Sequence, residues 1–106
     1  MFSIKDDNID LENIARCLSQ FIFNNRNDVR IKSLPLDESS VKGRRIEERK
    51  DLWFIGDWAV QGVLPQLEAI WSIDVTPGET ILLIVNIEKI NHDYIVTQWR
   101  MKQALF

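Results

Sequence analysis

Residues 80–90, Thr-Ile-Leu-Leu-Ile-Val-Asn-Ile-Glu-Lys-Ile, are apolar on both faces of an extended chain. Successive side chains of a strand point to opposite sides. Leu82 and Ile84 therefore point one way, and Ile81, Leu83, Val85 and Ile87 point the other. A strand with one wet face would alternate apolar and polar residues. This one belongs in the middle of a sheet, with cover on each side.

Residues 10–25 carry the other strong pattern. Leu11, Ile14, Leu18, Phe21 and Ile22 follow the three-four spacing of one buried helical stripe. Asp10 suits the N-cap, and Glu12 sits near the positive end of the helix dipole. Asn24, Asn25 and Asn27 then break the helix, because asparagine competes for backbone hydrogen bonds and tolerates left-handed geometry.

Residues 29–34 read as a short strand, with Val29 and Ile31 on one face and Arg30 and Lys32 on the other; Pro35 ends it. Residues 35–43 are polar and turn-rich, an exposed loop. Residues 44–50 are mostly charged and fit either an outward strand or a helical turn. Residues 51–60 are aromatic and β-branched, which favours a strand, with a bulge or bend at Gly56.

Residues 62–74 fit two periods. Leu67, Ile70 and Trp71 suit a helix beginning near Pro65. Leu67, Ala69, Trp71 and Ile73 suit a strand, alternating with Glu68, Ile70, Ser72 and Asp74. The strand is favoured, because Thr76-Pro77-Gly78-Glu79 follows, and proline then glycine suits the centre of a type II turn between neighbouring strands. Asn91-His92-Asp93 makes a second tight turn. The last strand spans residues 94–102. Strict alternation places Tyr94, Val96, Gln98 and Arg100 on one face and Ile95, Thr97, Trp99 and Met101 on the other.

The expected fold is α+β: an N-terminal amphipathic helix packed on a four- to five-stranded antiparallel β-meander, one domain over residues 1–106. The helix-then-sheet order resembles the outline of cystatin-like folds; no shared motif assigns the chain to that family.

Composition narrows the function classes. Of 106 residues, 45% are hydrophobic, enough to build a core. The formal charge of -3 is too mild to demand a basic partner. Cys17 is the single cysteine, so no internal disulfide forms, and nothing points to an oxidising compartment. The acidic start, with Asp6, Asp7, Asp10 and Glu12, is opposite to the basic region of a signal peptide, and no apolar run reaches membrane-spanning length. A cytoplasmic location is expected.

Catalytic chemistry finds little footing. His92 is the only histidine and lies in a turn beside Asp93 without a nucleophile nearby in sequence. Cys17 lies beside the apolar stripe and inside the helix, away from the N-terminal turn that would activate it. The carboxylates Asp51, Asp57, Glu68 and Glu88 suit solvated strand faces. Residues 6–10 resemble the start of a calcium loop but lack its mid-loop glycine and terminal glutamate. Gly43, Gly56, Gly62 and Gly78 are too scattered to cradle phosphate. No enzyme, cofactor or metal is expected.

Two constellations remain. Lys42, Arg44, Arg45, Arg49 and Lys50 precede Trp53 and Phe54, a mixture that single-strand nucleic-acid binders use. Glu47, Glu48 and Asp51 interrupt it, so the segment reads first as a charged edge. The four tryptophans, Trp53, Trp58, Trp71 and Trp99, come from at least three expected strands. Core packing accounts for two; all four exceed what one helix covers, and tryptophan dominates interfaces and pockets. The leading expectation is a small non-enzymatic protein-interaction module of the regulator, inhibitor, immunity or assembly-factor type. It would bury an aromatic and aliphatic sheet face against a protein partner, with a homodimer favoured and tryptophans near its centre. The alternative is a ligand-binding domain with a tryptophan-lined pocket between helix and sheet. A third is a single-stranded nucleic-acid binder using residues 42–50.

Overall fold

The computed structural model describes residues 9–34, 46–49, 52–55 and 58–104, with segments 46–49 and 52–54 given by their backbone pairing. Helix α1 spans Leu11–Asn24, and a short helix α2 spans Val29–Lys32. Six strands follow: β1 (Ile46–Arg49), β2 (Leu52–Ile55), β3 (Trp58–Val63), β4 (Gln66–Thr76), β5 (Glu79–Ile90) and β6 (Asp93–Gln103). They form one sheet in chain order, each pairing antiparallel to the next. The α+β class, with a helix and an antiparallel sheet, is as expected from the periodicities.

The start of α1 is fixed by Asp10, whose Oδ1 accepts from the Asn13 backbone N–H at 3.1 Å and whose Oδ2 accepts from Asn13 Nδ2 at 2.7 Å. One of the helix's otherwise orphaned backbone donors is thereby satisfied. Glu12 and Arg16 pair one turn apart at 3.0 Å on the wet face. Ile14, Leu18 and Phe21 are buried against the sheet. The helix touches both β2 and β6. Its 14 residues make a rod about 21 Å long. The four strand spacings from β2 to β6 add to about 19 Å. It therefore runs across the strands rather than along them.

Residues 29–34 depart from the expected strand. The segment opens as helix α2 because Asp28 caps it, accepting from the Arg30 backbone N–H at 2.9 Å. Ile31 is buried and Val29 exposed, so the two do not share a face. Four residues are too few for a period, and the local cap outweighs β-branched propensity. The loop expected over 35–43 lies outside the described residues. Within 44–50, residues 46–49 form strand β1. The 51–60 segment divides into β2 and β3, Ile55 opposite Trp58; Gly56 is outside the described residues.

Residues 66–76 form a strand, as the alternation favoured: Leu67, Ala69, Trp71 and Ile73 are buried on one side. Gly78 has φ +82°, in the left-handed region that the third position of a type II turn requires. Gly62, opposite Leu67, has φ +118°. A Cβ there would lie 2.8 Å from the Gln66 carbonyl oxygen, so glycine is demanded by both torsion and close approach.

In β6 the expected alternation breaks. Asn86 pairs with Gln98, but Ile87 pairs with Val96, leaving Thr97 as an extra residue. This bulge re-aims everything beyond it. Tyr94 and Val96 consequently share the core side with Trp99 and Met101, not with Gln98 and Arg100. The Tyr94 hydroxyl then accepts from the Asp10 backbone N–H at 2.8 Å, joining β6 to the start of α1. Among the described residues, no helix is long and apolar enough to cross a membrane.

Candidate functional site

The tryptophans divide by position. Trp58 and Trp71 are direct cross-strand partners, 0% and 5% exposed, with ring centroids 5.1 Å apart. They pack on each other beneath the helix, which lets one helix cover two indoles. Trp58 Nε1 is buried without a hydrogen-bond partner among the described residues. Trp99 is half-buried; the edge of Phe21 meets it at 5.5 Å and 72°. The Arg30 guanidinium lies 4.0 Å from its ring centroid, a cation–π contact. Asp28 holds Arg30 in place through contacts of 3.1 and 3.2 Å. Hydrogen bonds from Arg30 push the Asp28 carboxyl below its ordinary range. Trp53 is known here by its pairing opposite Val60.

The three described indoles therefore belong to the helix side of the sheet. Across β3 to β6 the face turned away from the helix is aliphatic and polar, which corrects the expectation of tryptophans at the centre of a second buried face. Its residues stand in cross-strand rows. Ala59, Ile70, Ile84 and Arg100 form one row across β3 to β6. Gln61, Glu68, Asn86 and Gln98 form the next. Ser72, Leu82 and Lys102 form a third on the other side of Ile84. The sequence reading of β5 as apolar on both faces holds, since Leu83 and Val85 are fully buried under the helix and Ile84, on the far face, is 4% exposed.

The polar row is internally bonded. Gln61 Nε2 donates to Glu68 Oε1 at 2.9 Å, and Glu68 Oε2 lies 3.7 Å from Arg100 Nη2. Asn86 Oδ1 is buried among these groups with no partner among the described residues. Beside the row is a shallow cleft of about 580 Å³, lined mainly by Gln61, Glu68, Asn86, Glu88 and Gln98.

A second cleft, of about 510 Å³, lies between α1 and β6 and is lined by Cys17, Phe21, Asn24, Tyr94, Val96 and Trp99 among others. Burial raises the Cys17 thiol above its ordinary range, which favours the thiol over the thiolate. The cleft on the far face was not legible in the sequence; the cleft between α1 and β6 lies where the alternative expectation put a tryptophan-lined pocket, and of the tryptophans it is lined by Trp99.

His92 is exposed in the β5–β6 turn. Among the described residues no group of three or more His, Cys, Asp or Glu side chains gathers as a metal site would need. Lys42, Arg44, Arg45 and Lys50 lie outside the described residues, and Arg49 is placed by its pairing opposite Leu52. Compared with protein-family models, curated proteins and solved structures, the chain matches none.

Proposed function

We propose that this chain is a small non-enzymatic interaction module, a helix laid on an antiparallel meander, that acts in the cytoplasm by burying the helix-distal face of its sheet against protein. The regulator, inhibitor, immunity and assembly-factor classes share this mode of action. The favoured partner is a second copy. The single observation that carries the reading is the pair of half-exposed residues Leu82 and Ile70, on either side of the buried Ile84, on a sheet face that α1 does not cover. Such a patch on an otherwise polar face has the form of an interface core with a polar rim. The interaction surface is thus aliphatic, with Trp58, Trp71 and Trp99 supporting the sheet from behind.

Leu82→Lys tests it. Leu82 is half-exposed, so the substitution leaves the helix-side core intact. Loss of association with an unchanged melting temperature supports the reading; undiminished association overturns it.

The cleft between α1 and β6 favours a second reading, a ligand-binding domain. Its wall of Phe21, Tyr94 and Trp99 suits a flat apolar ligand. Quenching or shift of tryptophan emission by small aromatic ligands, lost in Trp99→Leu, would support it.

A further inference from the structure

Through the middle of the helix-distal face the charges are divided by strand, while Glu88 on β5 and Asp93 on β6 lie toward the β5–β6 turn. Glu68 and Asp74 stand on β4, and Arg100 and Lys102 stand on β6. Between them, β5 contributes Leu82 and Ile84. Acids on one flank and bases on the other, about an aliphatic spine, form a pattern that is its own complement. A rotation of 180° about an axis along β5 lays the β4 flank of one copy over the β6 flank of the other. Sheets packed face to face stand about 10 Å apart, and same-face residues repeat about every 7 Å along a strand. Asp74 is one such step from the row of Lys102, within reach of a lysine side chain. Glu68 is likewise one step from the row of Arg100.

We propose that the second copy docks face to face about a two-fold axis along β5, with Asp74 of each chain meeting Lys102 of the other and Leu82 packed at the centre. This rests on the interaction reading above and specifies its geometry. Closed two-fold pairing is the commonest form of self-association, and in it every contact occurs twice. The Glu68–Arg100 pair forms within one chain, so the cross-chain contact is carried by Asp74 and Lys102. Both are exposed, and Asp74 is held upright by the Thr80 hydroxyl, which donates to its Oδ1 at 2.8 Å. Glu88 is on β5 itself, two same-face positions past Ile84 and level with Gln66, so the axis sets it opposite its own copy at the far end of the interface, away from Leu82.

Charge reversal tests the axis. Asp74→Lys alone and Lys102→Asp alone each convert two symmetric attractions into two repulsions. Each variant should weaken self-association by about tenfold or more. Mixing the two variants should restore a one-to-one heterodimer, visible by native mass spectrometry. The double variant in one chain should restore the homodimer, and thermal melts confirm that every variant is folded. Single variants that dimerise as tightly as the wild type, or a mixture that stays monomeric, would overturn this geometry while leaving wild-type dimerisation standing. A monomeric wild type would overturn the interaction reading itself.

Discussion

Arg100 reaches across the whole of β5 to Glu68: Nη2 and Oε2 are 3.7 Å apart although their strands are not neighbours. Glu68 is level with Asn86, and Arg100 with Ile84, so the pair crosses the strand where its far face is most apolar. Long basic side chains commonly lay their stems on apolar surface while the charged head stays in water. The pair thus spans the strand beside Ile84, which is 4% exposed on a face the helix does not cover.

Two variants separate stem from charge. Glu68→Gln ends the ion pair and keeps the acceptor for Gln61; half-exposed pairs contribute at most about 1 kcal/mol. Arg100→Ala removes the stem as well and should cost more, with greater binding of apolar dyes. Urea melts that rank the two in the opposite order would show that the charge, not the stem, protects Ile84.

Leu18 is fully buried in the middle of the helical stripe. Leu18→Ala should cost about 2–5 kcal/mol, the lost burial plus the cavity left behind. Glu12→Ala, at an exposed pair, should cost about 0.5 kcal/mol or less. Equal melting temperatures for the two would place α1 outside the cooperative core.

Two glycines with positive φ should respond differently. At Gly78, φ +82°, nothing lies within 4 Å of an added Cβ, so alanine meets torsional strain alone. At Gly62 the Gln66 carbonyl adds a clash at 2.8 Å. Gly78→Ala should therefore cost about 1 kcal/mol and Gly62→Ala more, toward about 3 kcal/mol. Chemical denaturation of both variants reads the difference.

The Asp28 carboxyl is held below its ordinary value of 3.8 by hydrogen bonds from Arg30. Its folded pKa is thus lower than its unfolded pKa. The stabilisation is complete above the unfolded value and is lost as pH falls through the folded one. Arg30 should leave Trp99 only in that acid range, seen as a change in indole emission. Asp28→Asn should remove this acid step; an unchanged emission profile would show that the Arg30–Trp99 stack does not depend on Asp28.

Much of the fold is visible in the chain because burial and periodicity agree. Helix α1 carries both an apolar stripe and a capping aspartate, and β4 alternates from Leu67 to Ile73. The turn at Pro77-Gly78 has the residues that its torsions require. What escaped notice was decided by single local bonds. One Asp28 cap turned residues 29–32 into a helix. One unpaired residue, Thr97, exchanged the faces of β6. The site was harder to read for the same reason: which strand carries which charge on the far face depends on register, and register depends on that bulge.

The central claim is that the helix-distal sheet face is covered by a second copy. Sedimentation equilibrium of the wild-type chain across the micromolar range tests it directly. The account predicts a reversible monomer–dimer equilibrium that Leu82→Lys shifts fully to monomer. A wild-type chain that stays monomeric throughout, and binds no apolar dye, would contradict it.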